Sequence, residues 1–254
     1  MRYISLLLLV LVFNCKNEIK TSKPLTANEI VDKSIDVSGG IVYDTVAAVI
    51  INFDFRSLGY RSVYSSEGKV LRRHIFKEED TILDFLKGNQ FQRYINKIPV
   101  KVPDSMIPRY SASVNSVHYF SVLPYGLNDK AVNKELIGEE QIKANNYYKV
   151  KVTFDEEGGG EDFEDVFIYW INKKTYKADY LAYSYNEDDD VGMRFREAYN
   201  ERYVKGLRFV DYNNYKSEDE SVSLLELGNA FDTNKLKLLS MIELENVDVG
   251  LIDD

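Results

Sequence analysis

The chain alternates between two hydrophobic periods. Val46–Phe55 is rich in β-branched and aromatic residues, and similar short stretches follow at Tyr60–Tyr64, Val70–Phe76, Thr81–Leu86 and Phe91–Ile95. Such side chains suit a pleated, half-buried surface, so these segments predict strands. Gly59, Gly68 and Lys87-Gly88-Asn89 supply turns between them. Over Asp104–Val122 the period changes: Met106, Tyr110, Val114, Val117 and Ser121 recur at three and four, which predicts an amphipathic helix ended by Pro124-Tyr125-Gly126. Strands return at Gly138–Thr153 and Glu164–Tyr185, with a turn at Asn172-Lys173-Lys174-Thr175. Lys205-Gly206 joins Met193–Val204 to Leu207–Tyr215 as a tight hairpin, and Leu236–Val247 reads as a last strand. Ahead of all this, Thr26-Ala27-Asn28-Glu29 has the form of a capping box, in which hydroxyl and carboxylate satisfy free backbone donors of a helix start. The helix that follows carries Ile30, Val31, Ser34 and Ile35 on one face and stops at Gly39-Gly40. The sum is an α+β fold: a curved antiparallel sheet, a half β-barrel of roughly ten strands, covered by two or three helices.

The first residues follow a different rule. Arg2 precedes a short apolar run, Leu6–Val12, and polar sequence begins at Cys15-Lys16. This is the order of a secretory signal, and the run is too short for the ~20 apolar residues that span a bilayer. Cys15 is the only cysteine, so an internal disulfide is excluded, and Val12 stands three before it, as in the lipobox of bacterial lipoproteins. Asn14 replaces the usual small residue of that box. The expected organisation is a signal peptide over 1–14, a lipid-anchored tether over 15–25 with the lipid on Cys15, and one domain over 26–250. Acyl chains on Cys15 would make a membrane the first partner. With no Asp after Cys15, the outer membrane is expected, the domain facing the periplasm or the cell surface.

Charge narrows the partners. The chain has 32 basic and 41 acidic residues, and loss of Arg2 with the signal takes the net charge from −9 to −10. An acidic protein gains nothing from phosphate counterion release, so nucleic acid is not an expected partner. Hydrophobic residues make up 44% of the chain, enough for a packed core.

Phe167-Ile168-Tyr169-Trp170-Ile171-Asn172-Lys173-Lys174-Thr175 resembles the strand-turn-strand signature of outer-membrane lipoprotein sorting proteins, the LolA/LolB-like group, with Asn172 in place of the usual Asp. The resemblance implies an antiparallel half-barrel lined by apolar side chains and closed by helices. Other blocks resemble an uncharacterised family of Bacteroidota lipoproteins: Val117-His118-Tyr119-Phe120, Leu123-Pro124-Tyr125-Gly126-Leu127-Asn128, Val152-Thr153-Phe154-Asp155 and Met193-Arg194-Phe195-Arg196-Glu197-Ala198-Tyr199-Asn200. That family implies no activity.

Candidate chemistry is sparse. No nucleophile elbow, P-loop or dinucleotide fingerprint occurs, and no nucleophile, base and orienting group stand together, so an enzyme is not expected. Arg194 and Arg196 alternate along a strong strand; they belong either to a solvated charged face or to the interior of a half-barrel, where a few polar groups orient an apolar ligand. Tyr169, Tyr183, Tyr185 and Tyr199 are candidates for the same cavity, or for its filling. Asp155, Glu157, Asp162 and Asp165 crowd a Gly-rich loop that offers calcium oxygen ligands, though without EF-hand spacing. His74 and His118 lack the spacing of a zinc pair. Two functions follow: a non-enzymatic binder of a lipid or other hydrophobic molecule, or an envelope protein that binds calcium or a glycan through its acidic and tyrosine-rich rim.

Overall fold

The structure is a computed structural model that describes residues 23–160, 163–187 and 190–253. The capping box forms as the sequence predicts: Glu29 N donates to Thr26 Oγ1 at 3.2 Å, and Thr26 N to Glu29 Oε2 at 2.7 Å. Helix α1 (Ala27–Val37) buries Ala27, Ile30, Val31 and Ser34. Its stop is enforced by backbone proximity. Gly39 has φ +91°, and a Cβ there would lie 2.0 Å from Gly206 O, so any other residue would force two chain segments apart. A single turn, α2 (Ile41–Asp44), leads into the sheets.

The strands form two antiparallel sheets of seven. The first contains β1 (Ala48–Phe55), β2 (Leu58–Ser65), β3 (Gly68–Lys77), β4 (Asp80–Lys87), β5 (Gln90–Ile95) and β6 (Ile98–Val100) as a meander. The second runs from β7 (Val132–Ile142) through β8 (Asn145–Phe154), β9 (Val166–Asn172), β10 (Ala178–Glu187), β11 (Asp190–Val204) and β12 (Leu207–Ser217) to β13 (Leu236–Ile242). The last strand, β14 (Glu245–Ile252), crosses over and pairs with β1.

The α+β, curved-sheet expectation holds, with fourteen strands among the described residues in place of roughly ten. Hidden turns account for much of the difference. Arg56-Ser57, Asn96-Lys97 and Lys143-Ala144 each place two non-glycine residues at positive φ. This is the backbone of the tightest hairpins, normally marked by Asn or Gly. Gly59 therefore does not turn the chain; it lies inside β2, paired with Asp54 and His74. The expected strand Leu236–Val247 is broken at Glu243-Leu244, where the chain changes sheets.

Helix α3 (Ile107–Ser121) lies between the sheets. Towards the first sheet it presents Ser111, Val114, His118 and Ser121, all buried. There Arg73 Nη1 donates to Ser113 Oγ at 2.7 Å, and His118 Nε2 lies 3.0 Å from Arg72 O. Behind this contact Asp84, wholly buried, accepts from Arg73 (Nη2, 2.7 Å) and from Arg93 (Nε, 2.6 Å). Towards the second sheet α3 presents Tyr119 and Phe120, which pack on Phe167. After the irregular turn α4 (Glu156–Gly159), the short α5 (Leu227–Asp232) covers the opposite face of the second sheet, where Leu227 and Phe231 pack with Ile168, Trp170, Tyr180 and Phe195. β9 is thus buried on both faces, which explains its uninterrupted apolar run.

Candidate ligand cavity

Period-two alternation decides which side chains of the second sheet face α3. On β9, Phe167, Tyr169 and Ile171 point inward, while Ile168 and Trp170 point to α5. On β10 the inward set is Leu181 and Tyr183; on β11, Arg194, Arg196 and Ala198 share a parity opposite to that of Phe195. Between this face and α3 lies a cavity of about 800 Å³, the size of a small-molecule site. Aromatic rings form much of its wall: Phe120, Phe154, Phe167, Tyr183 and Tyr212. Exposed charged residues, Arg56, Lys69, Arg109 and Asp129, also border it.

Arg196 is the polar centre of this wall. It is only 7% exposed. Its Nη2 donates to Tyr183 Oη at 2.8 Å, and the guanidinium lies 3.7 Å from the Phe120 ring centroid and 5.0 Å from that of Tyr183. Its Nε is buried with no hydrogen-bond partner, and no carboxylate pairs with it among the described residues. Asn214, its register partner on β12, also lines the cavity and has a buried, unpartnered Oδ1. Arg194 lines the cavity with its guanidinium over Tyr185 at 5.1 Å and Nη1 donating to Met193 O.

Tyr183, Tyr185, Arg194 and Arg196 thus meet at one wall. Tyr169 sits beneath it, fully buried, its hydroxyl 2.8 Å from that of Tyr119. Burial pushes both phenols, and that of Tyr212, above their ordinary range, so they serve as neutral hydrogen-bonding groups. Tyr199 is a correction to the cavity set. It is not among the lining residues, and its Oη donates to Glu243 Oε1 at 2.9 Å. The reason is parity: Tyr199 shares the face of Phe195 and Glu197, not that of Arg196. Glu197 and Glu201 follow the solvated-face alternative, pairing with Lys143 and Lys177.

The described carboxylates of the acidic loop are dispersed. Asp155 accepts from Asn133 Nδ2 at 2.7 Å, Glu157 is exposed, and Asp165 borders the cavity. Asp162 and Cys15 lie outside the described residues. Among the described residues no three metal-ligating side chains gather, which leaves the calcium expectation without a ligand cluster there. His118 is packed edge-on against Phe53 and Tyr60, and desolvation lowers its pKa to about 4. No helix among the described residues is long and apolar enough to cross a membrane.

Residues 56–244 match a family of unknown function, DUF6503. The chain belongs to that family. No curated protein matches it. Among solved structures, this DUF6503 chain is similar to a LolA superfamily protein from Nitrosomonas europaea, at 12% identity over 91% of this chain and 95% of the other, with a TM-score of 0.49. It is also similar to a DUF1329 family protein from Desulfovibrio piger, at 12% identity over 89% and 93% of the two chains, with a TM-score of 0.43. A third is the lipoprotein LppX of Mycobacterium tuberculosis, at 11% identity over 62% and 88%, with a TM-score of 0.26. The chemistry of the cavity comes from this chain's own side chains.

Proposed function

We propose that this protein is a non-enzymatic component of the bacterial envelope, anchored through a lipid on Cys15, that holds a lipid or other hydrophobic molecule between α3 and the second sheet. The observation that carries this reading is the cavity of about 800 Å³ walled by aromatic rings. A cleft of this size, open to solvent and walled in part by aromatic rings, has the dimensions of a small-molecule site. The polar side chains that share the wall with the rings, Arg194, Arg196 and Asn214 among them, suit orientation of a ligand's polar end. A tethered holder of this kind acts as a receptor at one membrane and does not shuttle between two.

Native mass spectrometry of the purified protein is the test. Acyl-chain adducts are expected, and Ala112→Trp, which fills the cavity from α3, should weaken them at least tenfold while the melting temperature stays near that of the parent. Absence of adducts with every acyl chain offered would overturn the proposal.

A further inference from the structure

Among the described residues three arginines are more than nine-tenths buried: Arg73, Arg196 and Arg208. Arg73 pairs with Asp84 at 2.7 Å, and Arg208 pairs with Glu201 at 2.8 Å. Arg196 alone has no carboxylate among the described residues, and its single hydrogen bond goes to a phenol. A guanidinium cannot shed its proton inside a protein, so a buried one needs an opposite charge from somewhere. Phe120 and Tyr183 supply cation–π contact, which lowers the cost without neutralising the charge. Neither Nε nor Nη1 of Arg196 carries a hydrogen bond to any described residue, so the guanidinium keeps donors on both sides of Nη2 for a carboxylate or phosphate, the groups that arginine matches with parallel bonds.

The surroundings agree. Arg56, Lys69, Arg109 and Arg194 stand with Arg196 around the cavity against two carboxylates, Asp129 and Asp165, and Asp129 is already within 3.6 Å of Lys69. This is a cationic site on a chain of net charge −9, so it attracts an anion locally where the remainder of the surface repels one. Asn214 adds an unpartnered amide oxygen one strand away, an acceptor for a hydroxyl of the same head group. The aromatic wall continues from Arg196 to Phe120 and Phe167.

Resting on the reading that the cavity holds a hydrophobic ligand, we infer that this ligand is a single-chain amphiphile with an anionic head, carboxylate or phosphate, and that the head pairs with Arg196. The acyl chain lies along the aromatic wall, and the ligand supplies the counter-charge the fold withholds.

Fluorescence titration of the full-length protein with cis-parinaric acid and with its methyl ester separates head from tail. The acid is expected to bind at least tenfold more tightly than the ester. In Arg196→Met that ratio should fall to about one, and Arg196→Lys should keep part of it. Ester binding reports a folded cavity in each variant. Lysophosphatidate should displace the acid at micromolar concentration, and inorganic phosphate should fail to displace it at millimolar concentration. Equal binding of acid and ester by the parent protein, or an unaltered ratio in Arg196→Met, overturns the anionic head and leaves the hydrophobic cavity standing. Displacement by inorganic phosphate alone overturns the amphiphile in favour of a free anion. Failure of both acid and ester to bind removes the underlying cavity reading itself.

Discussion

Helix α3 has two faces, and each meets an inward-pointing arginine of one sheet. On the first sheet Arg73 is held by Asp84, shared with Arg93, and its remaining nitrogen reaches Ser113 of the helix. Val114 packs with Leu71 and Leu86 beside it, so this face is closed. On the second sheet Arg196 stacks on Phe120 of the same helix, with no carboxylate paired to it among the described residues and a cavity in front. The two sites share a residue type, a depth of burial and a helix. They differ in where the negative charge comes from, and that difference separates an anchor from a binding wall.

The comparison is broken most severely at Asp84. Asp84→Ala leaves Arg73 and Arg93 adjacent and uncompensated in a buried setting, and should cost about 3–5 kcal/mol in urea unfolding. A loss below about 1 kcal/mol would mean that the first face is not held by charge.

Acid should loosen the same face. Desolvation lowers the pKa of His118 to about 4 in the folded chain, against about 6.5 unfolded. The unfolded state therefore takes up a proton between pH 6.5 and 4 that the folded state refuses, and stability rises with pH through this window. It is fully present above about 6.5 and lost as pH falls towards 4, by about 3 kcal/mol. His74, also lowered by desolvation, adds to the slope in the same direction. His118→Phe should remove most of the slope in melting experiments from pH 7 to 4; an unchanged slope would place the acid sensitivity elsewhere.

Smaller effects belong to the second face. Tyr119→Phe deletes the hydroxyl pair with Tyr169 and should cost about 1 kcal/mol, because it leaves a buried phenol without its partner. Arg196→Met should change stability least, within about 1 kcal/mol and in the stabilising direction, since it removes a buried charge that the fold itself leaves unpaired. If Arg196→Met proved as damaging as Asp84→Ala, the two arginines would be equivalent and the cavity would lose its polar centre.

Much of the architecture is legible along the chain. Thr26 and Glu29 announce α1, and the alternation around Phe195 assigns Arg194 and Arg196 to one face of β11. The same alternation excludes Tyr199 from that face. The approach to α5 is equally marked, because Ser223-Leu224-Leu225-Glu226 repeats the capping signature of α1 at the 3-10 turn Leu224–Glu226 that leads into the helix, with Ser223 N donating to Glu226 Oε2 at 3.0 Å. The six residues of α5 are too few for a helical period to stand out. The helical period of α3 does not reveal that the helix is buried on two sides, since Tyr119 and Phe120 fall outside the stripe that packs on the first sheet. The turns at Arg56-Ser57 and Lys143-Ala144 are illegible for another reason: neither carries the Asn or Gly that marks such a hairpin, and their left-handed backbones are imposed by the strands they join.

The sequence by itself determined strand alternation, the helix starts and the parity that puts Arg194 and Arg196 on one face of β11, because pleat and capping act over two to four residues, while the docking of α3 decided that this face points inward. Only the tertiary structure decided that Asp84 meets Arg73 and Arg93 while Arg196 meets Phe120 and open space. That choice depends on the register of β3, β4 and β5 and on where α3 docks between two sheets, relations among segments dozens of residues apart that no local pattern encodes.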